Sequence, residues 1–87
     1  MTSASNAVTS ISQVRISSLS VLGSQVRARR KSRGLTQEQL ATVAGCSAKF
    51  LTDLENGKPS VRFDKTLAVV KTLGLDLYID LRGDIRS

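Results

Sequence analysis

Five cationic side chains, Arg27, Arg29, Arg30, Lys31 and Arg33, fall within residues 27–33. Clustered guanidinium and ammonium groups attract polyanions, and Arg presents its donors as a fork that fits phosphate oxygens. The cluster opens a basic middle. Residues 27–71 hold ten bases (those five, then Lys49, Lys58, Arg62, Lys65 and Lys71) against four acids (Glu38, Asp53, Glu55 and Asp64). Residues 75–87 hold two bases (Arg82 and Arg86) against three acids (Asp76, Asp80 and Asp84). A net charge of +6 placed this way suits a polyanionic partner for the middle of the chain only. The competing readings are a solvated charged face and, for residues 27–33, a helix end whose dipole favours cations.

Other chemistry is poorly provided for. The chain has no histidine and one cysteine, Cys46. Ser-His-Asp or Cys-His catalysis therefore cannot be assembled, and neither a disulfide within the chain nor a Cys/His metal site is expected. There is no phosphate-cradling glycine loop and no carboxylate cluster, so neither an enzyme nor a cofactor is expected. No apolar run approaches the ~18–20 residues of a membrane span. MTSASNAVTSISQV lacks the basic and apolar regions of a secretory signal, so a cytoplasmic location is the default. At 87 residues, 40% apolar and 3% aromatic, one small aliphatic domain is expected, of a size often reinforced by dimerisation.

The element that must position the charge runs from Thr36 to Gly57, TQEQLATVAGCSAKFLTDLENG. Thr36 followed by Gln39 has capping-box spacing. Leu40, Ala41 and Ala44 put apolar groups on one helix face, and Gly45 allows a tight exit. Ser47 can cap a second helix whose apolar face is Phe50, Leu51 and Leu54, ended by Asn56-Gly57. Two helices of about eight residues with a short turn are the helix-turn-helix plan, whose second helix enters the DNA major groove. Cys46 falls in the turn, where a small apolar side chain packs.

The flanks fill in the rest. Ser18 or Ser20 can cap a helix over roughly 20–33, with Leu19, Leu22, Val26 and Arg30 on one face. Gly34 ends it, and Leu35 packs inward. After Lys58-Pro59-Ser60, a helix from Arg62 to Leu73 carries a Phe63, Leu67, Val70, Leu73 stripe read as core. Leu75, Leu77, Ile79 and Leu81 then alternate with Asp76, Tyr78, Asp80 and Arg82, the period of a half-buried strand. A lone strand leaves its backbone unpaired, and the same strand of a second copy is the simplest partner. The alternative is Val8–Ile16 of the same chain, a short strand or docked arm in an otherwise Ser/Thr-rich tail. Tyr78 lies at the rim or against a partner.

TQEQLA, AG and FLTDLENGKPSVRFDKTLAVVKTLG together resemble the Cro/C1-type (Xre-family) helix-turn-helix domain of phage repressors and bacterial regulators. The match covers about residues 20–74, with Gln37, Leu40, Ala41, Gly45, Leu51, Leu54, Glu55, Asn56 and Gly57 in matching places. The continuation LGLDLYIDLR, where the family usually adds a fifth helix, looks like the HipB-type antitoxins of Hip toxin–antitoxin modules. The resemblance implies an all-α, four-helix lambda-repressor-like domain plus one C-terminal strand pairing across a homodimer. The expected division is a flexible tail over 1–17, the DNA-binding domain over 18–74, the dimerisation strand over 75–82 (Leu75, Leu77, Ile79 and Leu81) and a tail over 83–87.

Residue roles follow from the match. Ser47, Ala48, Lys49 and Thr52 face the groove floor, with Asp53 beside them. Lys49 can donate to guanine, Thr52 can bond a base edge or touch a thymine methyl, and Ala48 offers only apolar contact. Asp53 either accepts from cytosine N4 or pairs with Lys49 at i, i+4. Gln37, Asn56, Gly57, Lys58, Arg62, Arg27 and Arg33 are the phosphate candidates. Arg30 and Glu55 match a structural ion pair. The implied partners are a palindromic double-stranded operator, a second copy and a HipA-type Ser/Thr kinase toxin. A stand-alone repressor and an interaction module that binds no DNA are the competing functions.

Overall fold

The computed structural model describes residues 13–59 and 62–79. Four helices are present among them: α1 (Leu19–Ser32), α2 (Gln37–Ala44), α3 (Ala48–Glu55) and α4 (Phe63–Thr72). Each of the first three starts on a side chain that replaces a missing helical acceptor. Ser18 accepts from Val21 N and Ser47 from Phe50 N, while Thr36 and Gln39 close a complete capping box. Ser18 rather than Ser20 therefore caps α1. α4 has no side-chain cap at Arg62.

The core is aliphatic. Val26 of α1, Leu40 of α2, Leu51 of α3, and Val69 and Leu73 at α4 are fully buried, joined by Ala41, Leu54 and Val70. Leu22, Leu35, Cys46, Phe50 and Leu75 pack partly against it. Fully burying a Val or Leu side chain is worth roughly 1.5–3 kcal/mol, so this cluster fixes how the helices cross.

α4 corrects the sequence reading. Thr66, Val69, Val70 and Leu73 face inward, whereas Phe63 is 60% exposed and Leu67 only half-buried. The helix is apolar around much of its circumference and offers two overlapping stripes. Contact with α2 selects one of them, and Phe63, in the first turn, is outside the core cluster.

α1 and α3 meet through backbone. A Cβ on Gly23 would lie 2.4 Å from Leu54 O and 2.6 Å from Glu55 O. Gly57, at φ 77°, would place one 2.9 Å from Ser20 Cα. The end of α3 is therefore seated on the first half of α1 with no side chain between them.

Among the described residues there is no strand. Of the expected strand over 75–82, residues 75–79 are described and form no ladder there. Leu75 N bonds to Val70 O at 3.0 Å and its side chain packs on the core, closing α4 rather than starting a strand row. Leu77, Tyr78 and Ile79 are exposed, Ile79 at 92%. Leu81 and the rest of the segment lie outside the described residues. Val14 and Ile16 are likewise exposed and unladdered, and most of the expected Val8–Ile16 arm lies outside them too.

Candidate nucleic-acid interface

α3 sorts its residues by period. Leu51 and Leu54 are buried and Phe50 half-buried, which turns Ala48, Lys49, Thr52 and Asp53 to the other side. Lys49 is the outermost, its side chain 81% exposed. Its ammonium lies 3.2 Å from Asp53 Oδ2, while Lys58 reaches Oδ1 at 3.5 Å. The i, i+4 pair between Asp53 and Lys49 is formed. The hydrogen bond from Lys49, with the charges of both lysines, holds the Asp53 carboxyl below its usual range against a partial desolvation. Asp53 therefore stays ionised and orients two cations along one side of α3.

Beneath this face runs a connected polar chain. The Arg30 guanidinium grips Glu55 with two bonds, Nε to Oε2 at 2.7 Å and Nη2 to Oε1 at 3.0 Å. Both residues are 8% exposed. Arg30 Nη1 also donates to Leu35 O at 2.8 Å, tying the α1–α2 connection to the pair. The bond to Glu55 raises the Arg30 pKa despite desolvation. Glu55 Oε1 accepts in addition from Gln37 Nε2 at 3.0 Å, and Gln37 Oε1 accepts from the Thr52 hydroxyl at 2.9 Å. The structural pair read from the sequence thus reaches the outward face through Gln37 and Thr52. Gln37 and Thr52 are fifteen residues apart, so no local pattern signals this link.

The phosphate candidates divide. Arg27, Gln37 and Asn56 line one open recess together with Thr52. Gly57 and Lys58 follow at the end of α3, Lys58 with its side chain 62% exposed. Arg33 stands elsewhere: its Nη2 is 3.0 Å from where a Gly74 Cβ would be, near the end of α4, where Arg29 Nε donates to Leu73 O at 2.9 Å. Cations at a helix C-terminus complement its dipole, so Arg29 binds the end of α4 to α1, with the Arg33 guanidinium close by. Arg62 donates to both Asp64 oxygens at 3.2 and 3.0 Å, a pairing that raises its own pKa and lowers that of Asp64.

Two contributors were not singled out from the sequence. Lys65 Nζ donates to Gly45 O at 2.8 Å, pinning the turn between α2 and α3 to α4. Gly23 makes the α1–α3 approach possible, and an isolated glycine inside a helix pattern is its signal. Burial raises the Cys46 thiol pKa, opposed by the Lys65 charge, which keeps it a neutral packing group. No group of three or more potential metal ligands occurs among the described residues, and no helix there is long and apolar enough to cross a membrane.

Comparison with known proteins agrees with this geometry. A family model described as a helix-turn-helix domain matches residues 21–80. An HTH-type transcriptional regulator of Sinorhizobium fredii is 42% identical over 73 residues, covering 84% of this chain and 96% of that protein. The HTH-type transcriptional repressor RghR of Bacillus subtilis is 43% identical over 61 residues, 70% of this chain but 43% of RghR. The restriction-modification controller protein C.AhdI of Aeromonas hydrophila superposes with a TM-score of 0.60 at 28% identity, covering 67% of this chain and 84% of its own. A chain of a HipA–HipB–O2–O3 complex gives a TM-score of 0.71 at 20% identity over 78% of this chain and 96% of its own, a likeness of fold. With its capped α2, its glycine turn and its polar-faced α3 matched from end to end, the chain belongs to the Xre-type helix-turn-helix family.

Proposed function

We propose that the protein is a dimeric transcriptional repressor that binds a palindromic operator through α3. The observation that carries this reading is the sorting of α3, with its apolar residues inside and Ser47, Ala48, Lys49, Thr52 and Asp53 outside. Arg27, Gln37, Asn56, Gly57 and Lys58 flank that face, and Arg62 and Arg33 are further phosphate candidates. Lys49 donates to guanine O6 or N7 once its exposed bond to Asp53 is exchanged, at a gain of ~1–3 kcal/mol over a wrong base. Relatives described as a transcriptional regulator and a repressor support the same reading, as does the absence of catalytic chemistry from the sequence.

Binding measured by fluorescence anisotropy across salt concentrations tests the assignment. Lys49→Ala is expected to relax preference at one operator position. Arg62→Ala is expected to weaken binding to all duplexes alike and flatten the salt slope by about one. If Lys49→Ala left every preference intact, the register of α3 in the groove would be wrong.

Dimerisation is assigned to the alternating segment Leu75, Leu77, Ile79 and Leu81. Its described part leaves Leu77 and Ile79 exposed in the single chain, and a second copy would cover them. Removal of residues 76–87 is expected to yield a monomer or a weak dimer by sedimentation velocity, whereas a tight truncated dimer would refute the paired-strand interface.

The finer reading makes the protein a HipB-type antitoxin of a type II toxin–antitoxin module, which also binds and neutralises a HipA-type kinase. The C-terminal alternation after four helices favours it, and the fold likeness to the HipA–HipB–O2–O3 complex is compatible with it. Co-purification with a kinase-like product of the adjacent gene supports this reading. If no such gene neighbours this one, the protein is a stand-alone repressor.

A further inference from the structure

We propose that Thr52 reads DNA as a hydrogen-bond acceptor only, accepting a hydrogen bond from an exocyclic amino group, adenine N6 or cytosine N4, in the major groove. The proposal rests on the DNA-binding reading above and specifies what one position of α3 selects.

The argument follows proton directions along the buried chain. Arg30 can only donate, so the Glu55 oxygens that face it accept. Glu55 Oε1 is also 3.0 Å from the Gln37 amide. A carboxylate oxygen repels an amide oxygen at that distance, so Gln37 must present its NH2 to Glu55. Its own oxygen then points the other way, toward Thr52 Oγ1 at 2.9 Å. An amide oxygen has no proton to give, so the Thr52 hydroxyl must donate.

Thr52 Oγ1 is also 3.0 Å from Ala48 O, a second acceptor on the same helix. A hydroxyl carries one proton and two lone pairs. Two inward acceptors compete for that proton, so it stays inside, and the surface that remains toward a base is lone pair. Guanine N7 and O6 and thymine O4 are acceptors and meet no donor there, whereas the amino groups of adenine and cytosine are donors and meet the acceptor they need. A surface threonine free to rotate would serve either kind of base. Here the choice is made beneath the surface, by the buried Arg30–Glu55 pair and by Gln37, fifteen residues away in sequence, whose amide the pair orients.

The test begins with full-length protein selecting operators from a random duplex pool. Thr52 contacts the step whose preference collapses in Thr52→Val, which keeps the shape and removes the hydroxyl. At that step the exocyclic amine is then deleted, using purine in place of adenine or 2-pyrimidinone in place of cytosine. Wild type is expected to lose roughly three- to tenfold in affinity, the worth of one hydrogen bond. Thr52→Val is expected to lose as much on the intact operator and nothing further on the amine-deleted one, while Thr52→Ser retains the wild-type response. Equal wild-type affinity for intact and amine-deleted operators overturns the proposal. So does a thymine preference that survives Thr52→Val and disappears in Thr52→Ser, which would make the methyl group the reader. Failure of Thr52→Val to change any step overturns it as well. If no duplex is enriched at all, the DNA-binding reading itself fails, an outcome distinct from the others.

Discussion

Gly23→Ala is expected to be the most disruptive single-methyl change in the protein. The added carbon would sit 2.4 Å from one backbone carbonyl oxygen and 2.6 Å from the next, both at the end of α3. Neither obstacle is a side chain that can swing away. Overpacking a core typically costs ~1–3 kcal/mol, and a clash with fixed backbone belongs at or above the upper end. The usual ~1 kcal/mol gain in helix propensity from glycine to alanine offsets only a fraction of that. The domain relaxes either by unfolding or by α3 lifting from α1. Urea denaturation with a loss of more than 2 kcal/mol would support the first. A milder loss with a large drop in DNA affinity would support the second. A variant of unchanged stability and affinity would show that α1 and α3 are not in this contact.

Glu55→Ala is expected to cost roughly 3–5 kcal/mol, because it leaves the Arg30 guanidinium buried and uncompensated. Replacing both partners with apolar residues, as in Arg30→Met with Glu55→Leu, is expected to recover most of that loss, since apolar substitutes for a buried pair are often neutral or better. Recovery is limited by Leu35 O, which loses the donor it has from Arg30. The double variant also distinguishes stability from recognition. It restores the fold while removing the carboxylate that holds the Gln37 amide. Chemical denaturation of the two singles and the double, closed as a thermodynamic cycle, measures the coupling. If the double variant were as unstable as Glu55→Ala, the pair would be doing more than satisfying its own charges.

Local signals were the legible part of this protein. The capping box at Thr36, the Ser47 cap and the apolar faces of α2 and α3 are all set by neighbours within four residues, and each is found where the sequence places it. The ion pair Arg30–Glu55 was legible only through resemblance, because its partners are twenty-five residues apart. α4 was misread at Phe63 and Leu67 because a helix apolar on several sides carries no unique stripe until its neighbours choose one. The division of Arg27 from Arg33 followed the same logic. Two arginines in one basic run look equivalent, yet six residues along a helix they lie on different sides, and Arg33 meets the end of α4 instead of the recess. The proposed strand would take its ladder from another segment, a second copy or Val8–Ile16, so nothing local to residues 75–79 fixes it.

The meeting of α1 and α3 through bare backbone separates two kinds of evolutionary change. Because Gly23 and Gly57 set the approach, the tilt of α3 does not depend on the size of any side chain on its outward face. Ala48, Lys49 and Asp53 are consequently free to vary without re-aiming the helix, as a set of interchangeable type is held in one fixed frame. A library randomised at those three positions should yield many folded proteins with new preferences, whereas one that includes Gly23 or Gly57 should yield mostly unfolded ones. For anyone seeking to redirect this domain to another sequence, the glycines mark the part to leave alone.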